Sequence, residues 1–231
     1  MPESAQMVTP AQRKWLPWLT AVGFFMQTLD GTILNTALPN MAETLGESPL
    51  QMQSVVIAYM LTVALLIPAS GWLADRFGTR RIYLAAILLF TLGSLACAAA
   101  NTLPMLVAAR VLQGVGGALL MPIGRLAVLR VYSKHELLRV MSFVTIPGLV
   151  GPLIGPALGG WLVEVASWHW VFLINLPVGI LGFIASWYFM PDLRQGTATF
   201  DWQGFVMFSA GMVLVSVGLQ GLGEHSISTG W

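Results

Sequence analysis

Gly71-Trp72-Leu73-Ala74-Asp75-Arg76-Phe77-Gly78-Thr79-Arg80-Arg81 separates two strongly apolar stretches. It gathers four charges into a short turn with a glycine near each end. A chain this hydrophobic spends charge sparingly, so these four read as groups that hold neighbouring segments in register. The glycines suit a close backbone approach at Gly71 and a tight turn at Gly78. Asp75 reads as an anchor for a helix N-terminus or for an arginine, with Arg125 as the nearest candidate. Arg76, Arg80 and Arg81 read equally as topology signals.

Composition fixes the surroundings of this turn. Of 231 residues, 56% are hydrophobic and only 9% charged, with a mean hydropathy of +0.76. Ordinary soluble domains carry about 25% charged residues. So few charges cannot cover a water-exposed surface, and the bilayer is the expected solvent. The net charge of +1 argues against a nucleic-acid partner. The one cysteine, Cys97, lies in an apolar stretch and reads as a packing residue.

A membrane-crossing helix needs about 20 mainly apolar residues. Seven stretches qualify: 15–36, 50–72, 82–100, 104–129, 139–163, 170–190 and 203–222. The basic residues orient them. Arg13, Lys14, Arg76, Arg80, Arg81, Arg125, Arg130, Lys134, Arg139 and Arg194 all fall at or near loops on one side; only Arg110 does not. The opposite loops hold Glu43, Glu47, Glu164, His169, Glu224 and His225 without Lys or Arg. By the positive-inside rule the N-terminus is cytoplasmic, and the first apolar stretch is a retained helix. Seven crossings put Ser228-Thr229-Gly230-Trp231 on the outer side.

Two ionisable residues sit well inside spans. A charge at mid-span costs roughly 2.5–3.5 kcal/mol on insertion scales. Asp30 lies roughly 22 Å along a first helix that crosses a core about 30 Å thick. Arg110, on a helix running the other way, lies on the order of 10 Å below the outer surface. Their depths agree, which suits an ion pair or a shared water site. A purely structural pair is the rival reading, as is Asp30 capping a break at Asp30-Gly31 while Arg110 snorkels outward. Gln113 lies one turn beyond Arg110 on the same face.

Glycines mark a further element. Gly151, Gly155 and Gly159 recur every fourth residue and form one flat stripe on a helix, where another backbone can approach closely. Pro152 and Pro156 remove backbone donors and should bend that helix. Soluble catalytic templates find no match: there is no phosphate loop, no spaced Cys/His metal set and no nucleophile elbow.

Five ordered segments carry a resemblance to one family. The stretch at 71–81 resembles the loop between helices 2 and 3 of major facilitator superfamily transporters, Gly-x-Leu-Ala-Asp-Arg-x-Gly-x-Arg-(Arg/Lys). Leu29-Asp30-Gly31-Thr32-Ile33-Leu34-Asn35-Thr36-Ala37-Leu38-Pro39 resembles the helix-1 signature of the fourteen-helix drug:proton antiporter subfamily. Arg110-Val111-Leu112-Gln113-Gly114-Val115-Gly116-Gly117-Ala118 is similar to its helix-4 motif. Gly151, Gly155, Pro156, Gly159 and Gly160 match the antiporter motif Gly-x-x-x-Gly-Pro-x-x-Gly-Gly. Trp168-His169-Trp170-Val171-Phe172-Leu173-Ile174-Asn175-Leu176-Pro177-Val178-Gly179 is similar to the helix-6 signature, with His169 where arginine is usual.

The resemblance implies an all-α polytopic membrane protein, with an N-terminal six-helix bundle plus one further transmembrane helix. It divides the chain into a cytoplasmic segment at 1–14, a transporter half at 15–190, and a link with a seventh helix at 191–231. The second half is absent, so the chain reads as truncated. It further implies proton-coupled efflux of small amphipathic molecules across the bacterial inner membrane, driven by the proton gradient with no cofactor, by a protein monomeric at full length. Asp30, Arg110 and Gln113 would couple protons; Gly71, Asp75, Arg76, Gly78, Arg80, Arg81 and Arg125 would form a cytoplasmic gate; Asn35, Pro39, Asn175 and Pro177 complete the signatures. These motifs report coupling and gating rather than cargo. A specific metabolite or siderophore-type compound stays open as substrate, and so does a fragment that transports nothing.

Overall fold

The computed structural model describes residues 8–195 and 199–228, and the side chains of these up to residue 216 together with Gly218. The expectation placed on Thr229-Gly230-Trp231 therefore lies outside the described residues. Among the described residues there is helix and no strand: α1 (Pro10–Leu45), α2 (Pro49–Phe77), α3 (Thr79–Ala98), α4 (Leu103–Val131), α5 (Lys134–Val165), α6 (His169–Leu173), α7 (Asn175–Phe189) and α8 (Trp202–Ser228). The chain divides into two compact units, residues 1–197 and 198–231. The first holds α1 to α7; the second holds α8.

Local sequence sets most helix starts. Thr9 and Ser48 each cap a helix whose first residue is proline, and each exchanges hydrogen bonds with a glutamine three residues on. The proline needs no hydrogen-bond partner there, and its fixed φ suits the first turn. At α5 the Glu136 carboxylate accepts from both the backbone N–H and the hydroxyl of Ser133. Gly46 ends α1 at φ +69°, a left-handed position that suits glycine.

Five described helices are long and apolar enough to cross a membrane: α2, α3, α4, α5 and the combined stretch of α6 and α7. α1 has 36 residues, more than enough length. Its Gln27, Asp30, Asn35 and threonines dilute its apolarity; Asp30 is buried, Gln27 half-buried and Asn35 exposed. The helix runs without a break at Asp30-Gly31 and continues past the expected end at 36, with Pro39 exposed inside it. α5 is likewise a continuous helix through Pro147, Pro152 and Pro156. The sixth span breaks at Ile174 into α6 and α7.

α4 is the central post, packed against α1, α2 and α3, while α1 packs most extensively against α5. Small residues allow this closeness. A Cβ on Gly116 would strike the backbone of Ala86 and Phe90 on α3. On α5, a Cβ on Gly151, Gly155 or Gly159 would strike Thr28, Thr32 or Thr36 of α1. The hydroxyls of Thr28 and Thr32 donate to carbonyls three and four residues back, and that of Thr36 to the carbonyl of Ile33. They satisfy themselves within α1, and their oxygens are the atoms that lie nearest the glycine positions of α5.

The buried apolar residues form two clusters. One is built around Leu16, Tyr83, Phe90, Leu120 and Val128, towards the end that carries the basic residues. The other is built around Ile33, Met41, Val55, Leu106 and Phe172, towards the opposite end. Between them lies a polar layer.

Candidate functional site

Every helix of the first unit except α5 contributes to that layer. Asp30 and Arg110 are each about 1% exposed and pair directly, Arg110 Nη1 donating to Asp30 Oδ2 at 2.6 Å. The same nitrogen donates to Gln113 Oε1 at 2.7 Å. Gln113 Nε2 donates to Asp30 Oδ1 and to Ser94 Oγ, both at 2.7 Å. Asn175 Nδ2 donates to Asp30 Oδ1 at 3.0 Å and to Ser94 Oγ at 3.2 Å. Cys97 Sγ donates to Gln113 Oε1 at 3.6 Å, and Arg110 Nε donates to the Val55 carbonyl at 3.4 Å. The guanidinium also sits 4.1 Å from the centroid of the Tyr59 ring and 5.9 Å from that of Phe172. Buried charge is tolerated when it is paired and hydrogen-bonded, as Arg110 is through Nη1 and Nε.

Backbone packing holds the layer in register. A Cβ on Gly93 would come within 2.5 Å of the Gln113 Cα, so α3 presses directly on α4 where Gln113 projects. Asn175 opens α7 immediately after the break at Ile174. Its bond to Asp30 thus ties α1 to the one discontinuity in the sixth span. The sequence singled out Asp30, Arg110, Gln113 and Asn175. It did not single out Ser94, which bridges Gln113 and Asn175, nor Tyr59, whose hydroxyl is buried without a partner beside the charged pair.

The other candidate residues fall elsewhere. Asn35, Pro39 and Pro177 are exposed and stand apart from the polar layer. In the antiporter motif, Gly151, Gly155 and Gly159 meet α1, whereas Pro156 is exposed and Gly160 faces open space.

The turn at 71–81 forms a second assembly, at the basic end. α2 and α3 are separated by Gly78 alone, at φ +93°, a value that strains any residue with a side chain. A Cβ there would also collide with Asp192. The segment after α7 crosses this turn: Thr79 Oγ1 donates to the Pro191 carbonyl at 2.7 Å and accepts from Leu193 N at 3.0 Å. Arg80 donates to the Trp187 carbonyl and lies 5.5 Å from the centre of its ring. Arg76 lies against Trp72 and Phe77, and Arg81 is exposed.

Two expectations fail here. Asp75 pairs with Arg130, not Arg125. Five residues along a helix of 3.6 per turn rotate the side chain by roughly 140°, onto another face. Arg125 instead borders a groove with Thr20, Met121 and Met141. Gly71 makes no close approach: a Cβ there would meet nothing. On the same end, Arg13 pairs with Glu136 at 2.5 Å, and Tyr132 donates its hydroxyl to the Arg13 carbonyl. Partial burial pushes the Tyr132 phenol above its usual range, which keeps it a donor.

A helical bundle with a buried cross-helix ion pair and charged turns at one end defines a polytopic membrane protein. Residues 20–204 match the model of the Major Facilitator Superfamily, and the chain belongs to that family of membrane transporters. Its relatives include the "Putative multidrug resistance protein MdtD" of Pectobacterium atrosepticum, 57% identical over 93% of this chain and 46% of that protein. The protein of the same name in Klebsiella pneumoniae subsp. pneumoniae is 56% identical over 96% of this chain and 47% of its own length. The chain thus spans about half the length of these curated relatives. Among solved structures, a peptide transporter POT crystallised with sulfate superposes with a TM-score of 0.71 over 99% of this chain and 50% of that one. Sequence identity there is 19%, so that likeness speaks for the fold alone.

Proposed function

We propose that this chain supplies the N-terminal half of a proton-coupled exporter of small amphipathic molecules in the bacterial inner membrane, with its N-terminus cytoplasmic. Asp30 is the proton-carrying group. The observation that carries this reading is its enclosure: a carboxylate about 1% exposed, held by Arg110, Gln113 and Asn175. Protonation removes the negative charge that neutralises Arg110, leaving a buried guanidinium without its counter-ion. The protein must then rearrange or admit another anion or water. A proton thereby acts on the relative placement of α1, α4 and the break before α7. The multidrug-resistance name of the relatives supports drug-like cargo. The basic residues gathered at one end support the orientation.

The turn at 71–81 is read as a cytoplasmic gate, with Asp75–Arg130 and the Gly78 crossing as its fixed parts. Gly71, facing open space, is available to the second half that the full-length relatives carry. The test is efflux in everted vesicles by a chain of the relatives' full length carrying Asp30→Asn or Arg110→Ala. Both variants should lose proton-driven efflux while still reaching the membrane. Transport retained in both would overturn the reading.

A further inference from the structure

A cavity of about 290 Å³ opens between α1, α3 and α7, apart from the polar layer. Its walls include Trp15, Trp18, Val22, Tyr83, Leu181 and Ser186, nearly all apolar. Trp18 and Leu181 are more than half exposed, so the cavity opens onto the flank of the bundle. That flank is apolar: Leu88, Leu92, Ile180 and Ile184 are all at least 47% exposed.

Three features grade this flank along its depth. Trp15, Trp18, Trp187 and Tyr188, all exposed, gather at the end nearest the basic residues, as an interfacial aromatic belt does. Towards the basic end, the exposed Lys14 precedes Trp15 in α1, and Arg80 is held against Trp187, the residue that follows Ser186 in α7. Within the belt, Ser186 is fully buried on the cavity wall, and its hydroxyl has no partner in the protein.

We infer that this cavity holds one acyl chain of an anionic glycerophospholipid. The phosphate lies over Lys14 and Arg80, where two cations meet the headgroup level. An ester carbonyl one step deeper accepts the Ser186 hydroxyl. The acyl chain runs on towards Val22 and Ile87, filling an apolar cavity that would not hold water. The order of cation, hydroxyl and apolar wall matches the order of groups along such a lipid. A second protein segment seated in the cavity would account for the apolar wall but not for the cationic rim.

The test is a titration of the detergent-purified chain with phosphatidylglycerol bearing a diazirine in its acyl chain, followed by photolysis and peptide mapping. Labelling should saturate and fall on α1 and α7 around the cavity. Gly182 lines the cavity and has open space where a Cβ would stand, so Gly182→Leu fills it without disturbing the helix contacts. The half-saturating concentration should rise about tenfold in Gly182→Leu, as expected when roughly two methylenes lose their burial. The double variant Lys14→Gln/Arg80→Gln should lose at least about fivefold for phosphatidylglycerol and little for a phosphatidylcholine probe. Labelling unchanged by Gly182→Leu, or equal for the two headgroups, would overturn the inference. So would labelling spread evenly over all helices.

Discussion

α1 carries polar groups on two faces over an overlapping stretch, and the bundle treats them in opposite ways. On the face towards α5, Thr28, Thr32 and Thr36 bond back to carbonyls of their own helix, and glycines pass over them. On the face towards α4, Asp30 finds every partner on other helices: Arg110, Gln113 and Asn175. A polar group satisfied within its own helix is indifferent to where its neighbours go. One satisfied across helices changes their relative energies whenever its charge changes. The first face is a seam, and on the proposed function the second is a switch.

This contrast is most strongly strained by removing one charge. Arg110→Ala leaves Asp30 buried and unpaired, and breaking a buried pair from one side costs about 3–5 kcal/mol. Thermal unfolding of the detergent-solubilised chain should fall sharply, and Asp30→Leu added to Arg110→Ala should recover most of the loss. A double variant no more stable than Arg110→Ala alone would show that the pair is not the source of the cost.

The seam responds to volume instead. Gly155→Leu drives a side chain into Thr32 and should cost about 1–3 kcal/mol by overpacking, whereas Gly160→Leu enters open space and should be near neutral. Comparable melting temperatures for the two would contradict a seam built on close approach. The smallest effect belongs to Thr32→Val, which keeps the ridge and removes only a hydroxyl already bonded within its helix. It should shift stability by less than about 1 kcal/mol. A loss as large as that of Gly155→Leu would mean the hydroxyl reaches across to α5.

The two faces also differ in how far the sequence discloses them. The glycine stripe at 151, 155 and 159 is visible as a four-residue period, and the threonines of α1 repeat at the same interval. The matched depths of Asp30 and Arg110 follow from helical rise alone, because both helices cross one slab. Ser94 is not legible in this way. A serine beside glycine in an apolar helix reads as packing, and its place between Gln113 and Asn175 depends on how α3 meets α4. Asn175 belongs to a recognisable signature, yet its partner lies 145 residues away. Asp75 shows the limit of counting along a helix. Arg125 and Arg130 both lie near the right end of α4, but only the rotation between them decides which faces α2. Gly78 is legible as a turn glycine, but the one-residue break it makes between α2 and α3 is not. Gly71 carries the same letter in open space.

On the proposed function, Asp30 takes up a proton while held in this network. Infrared difference spectra of the reconstituted chain, recorded on acidification, test it most directly. A protonated-carboxyl band should rise as the pH falls and be absent from Asp30→Asn, with amide changes accompanying it as α1 and α7 shift. The same band persisting in Asp30→Asn, or no such band at any pH at which the bundle stays folded, would contradict the account.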